Sequence, residues 1–116
     1  MDWKTVIEKE LATAEAARAR GNEGMARVCA RRAAGWAVKA RLGAAGVDLD
    51  TNSVIDHFRH LQAGGTTQPE LLPLLEHLLQ PKLRPDLAED SYFPEGIDLL
   101  ADARQLIALL FPEGLH

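Results

Sequence analysis

"MARVCARRAAGWAVKARL", Met25 to Leu42, sets five basic residues into a stretch that is otherwise almost wholly alanine and apolar side chains. Alanine gives up little conformational freedom on entering a helix, and β-branched residues are few here, so the stretch predicts a helix. On a wheel of about 100° per residue, Met25, Ala26, Cys29, Ala30, Ala33, Trp36, Ala37 and Ala40 fill one broad arc. Arg27, Arg31 and Arg41 form a narrow basic stripe opposite, while Arg32 and Lys39 form a second beside Met25 and Trp36. Val28, Gly35 and Leu42 fall between the two basic stripes. A helix apolar over so much of its circumference needs neighbours on more than one side. The expectation is therefore the central helix of a bundle, with small residues admitting close neighbours and arginines reaching out at the seams.

The flanking segments fit that plan. A first helix is expected from about Trp3 to Arg20, with Asp2 as its cap and Gly21 as its stop. Trp3, Val6, Ile7, Leu11, Ala14 and Ala17 recur at helical spacing, interrupted by Glu10 and Arg18. The turn "RGNEG" is short, so the next helix folds back antiparallel, with Asn22 as its cap. That register brings Glu10 level with Arg32. A carboxylate in an apolar stripe needs a partner, so an ion pair with Arg32 or a neighbouring arginine is expected.

Beyond Leu42, "GAAGVDLDTN" breaks the helix, and Ser53 with Asp56 resembles a capping box for a short third helix. Val54, Ile55, Phe58 and Leu61 supply its core face. "AGGTTQP" ends it, and "PELLPLLEHLLQP" predicts a fourth helix that starts late or bends at Pro73. "PKLRPDLAEDSYFP" carries too many prolines for regular structure and reads as a crossing loop. A last helix is expected from about Pro94 to Phe111, with Asp98, Asp102 and Gln105 on one narrow polar strip. Its apolar face is wider than one neighbour requires. Either it is also central, or it meets a second subunit, and a symmetric homodimer is the expectation. For a homodimer, Leu100, Arg104, Ile107 and Phe111 are the candidate interface.

Residues 1–116 are read as one domain, all-α, an up-and-down antiparallel bundle of four to five helices. The single cysteine excludes an intrachain disulfide, "MDWKTVIEKE" lacks the apolar stretch of a signal peptide, and "LIALLF" is too short to span a bilayer. The expectation is a cytoplasmic protein with no membrane partner. Net charge of −4 divides unevenly, with nine Lys/Arg against five Asp/Glu in residues 1–46 and four against twelve in residues 47–116. The two halves can attract one another within one fold, or the basic half can face an anionic partner.

The order of these parts resembles the HEPN family of prokaryotic helical bundles. "WKTVIEKELATAEAARARGN" and "EGMARVCARRAAGWAVKARL" look like its long first and Ala-rich second helices. "GAAGVDLDTNSVIDHFRHL" is similar to its glycine-bearing connection and short histidine-containing helix, and "SYFPEGIDLLADARQLIALL" to its proline–aromatic segment and final helix. The resemblance implies nucleotide or RNA binding, dimerisation, and pairing with a small nucleotidyltransferase-type protein in a toxin–antitoxin system. Ribonuclease-active members carry an arginine followed, after four to six residues, by a histidine. None of His57, His60, His77 or His116 has an arginine at that spacing, so no catalytic residue is carried over.

Other chemistry is thinly represented. His57 and His60 share a helix side, but no further ligand pair completes a metal set, so no metal is expected. "GNEG" and "AGG" lack the strand and lysine of phosphate loops, and no cofactor is expected. Cys29 falls on the apolar arc, where thiols are inert. The leading expectation is a non-catalytic binding module for a nucleotide, RNA or protein partner, gripping through Arg27, Arg31, Arg32, His57, Arg59 and His60 beside the second and third helices. The alternatives are a diverged ribonuclease using Arg59 and His60, and a homodimeric assembly subunit.

Overall fold

A computed structural model describes residues 2–51, 53–64, 68–83 and 98–114. Among these residues the chain is all-helical: α1 (Trp3–Ala19), α2 (Glu23–Ala44), α3 (Val54–Ala63), α4 (Leu71–Leu83) and α5 (Leu99–Leu110). The segment expected to cross as a loop lies outside the described residues from 84 onward, as does the expected helix start near Pro94.

Capping chemistry sets the boundaries. The Asp2 carboxylate accepts from the Lys4 amide, and the Asn22 side chain from that of Met25, so both expected caps are in place. α1 and α2 end alike. The amide after each cap glycine reaches back five residues, Asn22 to the Ala17 carbonyl at 2.8 Å and Val47 to that of Leu42 at 2.8 Å. Gly21 and Gly46 stand at φ +79° and +82°, a left-handed conformation that glycine adopts without steric cost. Because α2 stops at Gly46 rather than Gly43, it is two residues longer than the arc from Met25 to Leu42 at its C-terminal end.

At α3 the expected box is only half direct. Ser53 Oγ accepts from the Asp56 amide at 3.3 Å, but the Asp56 carboxylate accepts from the Thr51 hydroxyl at 3.0 Å. Thr51 Oγ1 in turn accepts from the Ser53 amide at 3.0 Å. Aspartate is one methylene shorter than the glutamate of a full box, and Thr51 bridges the gap. α4 starts at Leu71, which places Pro73 in its first turn, where a missing amide donor costs nothing. The helix continues through Pro81 to Leu83, past its expected end; a proline there removes one donor from the ladder without stopping it. Asp98, expected on the polar strip of the last helix, is instead its N-cap, accepting from the amides of Leu100 and Ala101 at 3.0 and 3.1 Å.

α2 packs against α1, α3 and α5, and α5 against α1, α2 and α4. Both helices are thus central, and the wide apolar face of α5 is covered within the chain. Ala26, Ala30, Ala33, Ala34 and Ala37 of α2 are fully buried, along with Val38. The facing of α2 departs from the wheel. Ala34 and Val38 lie on the side of the Arg27/Arg31 stripe, so that side turns inward, and Arg31 Nε donates to the Leu78 carbonyl of α4 at 3.1 Å. Met25 and Trp36, assigned to the apolar arc, turn outward.

Glu10 corrects a second expectation. Among the described residues no arginine pairs with it, and its Oε2 is buried without a hydrogen-bond partner. The Cys29 thiol lies nearby; burial chiefly, and then the Glu10 carboxylate, push that thiol's pKa up and keep it protonated.

One clamp joins three helices. The Arg18 guanidinium donates to both carboxylate oxygens of Asp98, at 3.1 and 2.9 Å, and to both of Glu23, at 2.8 and 3.3 Å. It thereby ties the end of α1 to the starts of α2 and α5. The hydrogen bond from Arg18 holds the Asp98 carboxyl below the usual carboxylate range, against the opposing effect of burial. A depressed folded pKa gives stability that is present above the unfolded value of about 3.9 and lost as pH falls through the folded one. Both partners are more than a third exposed, so the pair contributes at most about 1 kcal/mol after screening. Asp98→Asn keeps a capping oxygen and loses the charge. Its urea midpoint is expected below wild type near neutral pH, with the gap closing towards about pH 3. Asp98→Ala is expected to lose roughly a further 1 kcal/mol at every pH, the cost of the cap.

Candidate functional site

α3 has ten residues and α2 twenty-two, so α3 covers only part of the side it faces. On that side Gly35 and Leu42 are buried, whereas Val28, one heptad earlier, stays 37% exposed. Contact there is close: a Cβ placed on Gly35 would meet Val54 Cγ1 and Cγ2 at 2.7 Å.

Beside this crossing lies a cleft of about 350 Å³, lined by Gly35, Trp36 and Lys39 of α2 and Val54 and His57 of α3. His57 is 4% exposed. Its Nδ1 is 2.7 Å from the Ser53 carbonyl, which can only accept, so Nδ1 carries the proton and donates. At the mouth the Lys39 ammonium sits 5.2 Å from the centroid of the Trp36 ring, a cation–π distance. On the other flank of Trp36 a second hollow of about 200 Å³ is lined by Trp3, Trp36, Lys39 and Ala40. Trp3 itself packs against Phe111, the two rings tilted by 36° with centroids 5.1 Å apart. The nearness of Trp3 to Ala40 also shows that α1 and α2 run antiparallel.

Trp36 is therefore a ridge between two hollows, and it does not stand alone. Among the described residues the large apolar side chains left exposed are Met25 at 41%, Val28 and Trp36 at 37%, and Leu72 at 39%. Met25, Val28 and Trp36 share one stripe with the exposed Arg32 and Lys39. At about 100° per residue the five positions span about 80° of arc.

Of the six residues expected to grip a ligand, only His57 enters the cleft. Arg32 lies on the neighbouring stripe and is exposed. Arg27 and Arg31 are half-buried on the inward side, and Arg59 and His60 are exposed on α3 outside the cleft. Of the four expected at a dimer interface, Leu100 and Ile107 are buried within the chain, Phe111 is half-buried against Trp3, and Arg104 pairs with Glu15. A shallow hollow of about 260 Å³ remains beside Leu11, Arg104, Ile107 and Phe111.

Trp36, Lys39, Gly35 and Val54 were not among the expected site residues. The signal was present, since Arg32 and Lys39 fall on the same flank as Met25 and Trp36. Among the described residues no three His, Cys, Asp or Glu side chains converge as metal ligands, and no helix is long and apolar enough to cross a membrane. Comparison with known proteins finds no matching family model, curated protein or solved structure.

Proposed function

We propose that this chain is a non-catalytic binding module of HEPN-like kind that holds a protein partner against the outward face of α2. One observation carries the reading: among the described residues, three of the four large exposed apolar side chains lie on a single stripe with two exposed cations. From Met25 to Lys39 that stripe runs about 21 Å, longer than a mononucleotide needs. It has one aromatic platform, where a single-stranded nucleic acid would stack on several. Scattered exposed apolar residues are ordinary, but an aligned set rimmed by polar groups marks an interaction surface. The antiparallel α1–α2 hairpin and the short, histidine-bearing α3 support the HEPN-like reading, which makes a nucleotidyltransferase-type protein of a toxin–antitoxin pair the expected partner.

The test is co-expression with the polypeptide encoded by the adjacent gene, followed by size-exclusion chromatography. Wild type is expected to co-elute with it, and Trp36→Asp to elute alone. Titration with ATP and with a short single-stranded RNA is expected to leave tryptophan emission unchanged. Co-elution that survives Trp36→Asp, or saturable quenching by ATP or RNA, would overturn the protein-partner reading.

A further inference from the structure

We infer that the partner element received by α2 is an acidic amphipathic helix, lying along the Met25–Lys39 stripe with carboxylates opposite Arg32 and Lys39. The inference rests on the reading of this stripe as a protein-binding face. Its spacing comes first. Met25, Val28, Arg32, Trp36 and Lys39 follow one another at intervals of three or four, the rhythm by which one helix presents a seam to another. The hollows of about 350 and 200 Å³ on either side of Trp36 are depressions into which knobs of a facing helix can seat. At about 21 Å, the stripe matches roughly four helical turns of partner.

Charge then selects the partner. Arg32 and Lys39 are both exposed, and no carboxylate of α2 shares their arc. At the Met25 end stands another exposed cation, Arg20, with Nη2 3.7 Å from Met25 Sδ. Glu23, the one acid in α2, is engaged by Arg18. Arg32 and Lys39 are seven residues apart, so a helix carrying two carboxylates at the same separation meets both at once.

A second copy of this chain fits poorly. A two-fold axis through the middle of the stripe would set Arg32 against its own symmetry mate, and like charges facing one another are unfavourable. Moving the axis towards Met25 and Val28 leaves Trp36 uncovered.

The test uses the full chain with Trp3→Phe, which keeps a ring against Phe111 and leaves Trp36 as the one tryptophan. The probes are two designed helical peptides of about four turns with the same leucine face. One carries Glu at two flanking positions seven apart, the other Lys. Trp36 emission is expected to titrate with the Glu peptide at an affinity at least tenfold above that for the Lys peptide, weakening as salt rises. The exposed double exchange R32E/K39E is expected to reverse the preference. No binding of the Glu peptide, equal affinity for both, or no reversal overturns the inference. If in that case the partner polypeptide still depends on Trp36, the protein-binding reading survives; if it does not, both fall. Sedimentation of the free chain as a dimer that Val28→Asp dissociates would also overturn the inference, because a second copy would then cover the face.

Discussion

Gly35→Ala is expected to destabilise the chain by about 1–2 kcal/mol, although alanine is the better helix former. Overpacking costs typically 1–3 kcal/mol, and the gain in helix propensity returns up to about 1 kcal/mol. The new methyl would lie 2.7 Å from both Cγ atoms of Val54. Val54 is β-branched and its Cβ would itself lie 3.1 Å away, so rotating χ1 does not by itself clear the contact and α3 has to shift. The diagnostic is a double-mutant cycle by urea unfolding. Val54→Ala removes both clashing atoms and should rescue much of the loss, giving a coupling of about 1 kcal/mol or more. Simple additivity would show that α2 and α3 do not meet here as described.

Phe58→Ala is expected to cost more, about 3–5 kcal/mol. Phe58 is fully buried, and on α3 only it and His57 are buried. Truncating its ring leaves a void lined by neighbours that are already held by other helices. A domain of this size has roughly 5–15 kcal/mol of total stability, so the exchange removes about a fifth or more of it. Phe58→Leu, which retains most of the volume, should lose much less. Calorimetric melts of the three proteins check the order. Should Phe58→Ala melt with wild type, α3 would contribute little to the core, and the cleft it walls would lack a fixed side.

Most of the fold was legible because it is written in local chemistry. Asp2, Asn22, Ser53 and Gly21 each do at a helix end what their side chains, or the lack of one, favour anywhere. What was not legible depends on which neighbour arrives and how far it reaches. The wheel of α2 gives the angular order of its side chains but not which sector is covered. The covered sector is centred near Ala30 and Ala34, drawing Arg27 and Arg31 inward and turning Met25 and Trp36 out. Val28, Gly35 and Leu42 are equivalent by spacing, and only the shortness of α3 separates the bare one from the buried two. The site followed the same division. His57 could be placed beside α2 from its position on a short helix, whereas Trp36, which its spacing assigns to the apolar arc, faces a sector that no described residue covers.

The Arg18–Asp98 clamp closes a span of eighty residues. The α1–α2 hairpin, in contrast, is made of contacts between chain neighbours. On a ribosome, where the N-terminal part emerges first, the hairpin can form early. Its alanine-lined inner surface then stays wet until the segment from Asp98 to Leu110 has been synthesised and has docked. Assembly of the bundle therefore waits on α5, and during that interval the nascent hairpin exposes its alanine-lined surface to solvent.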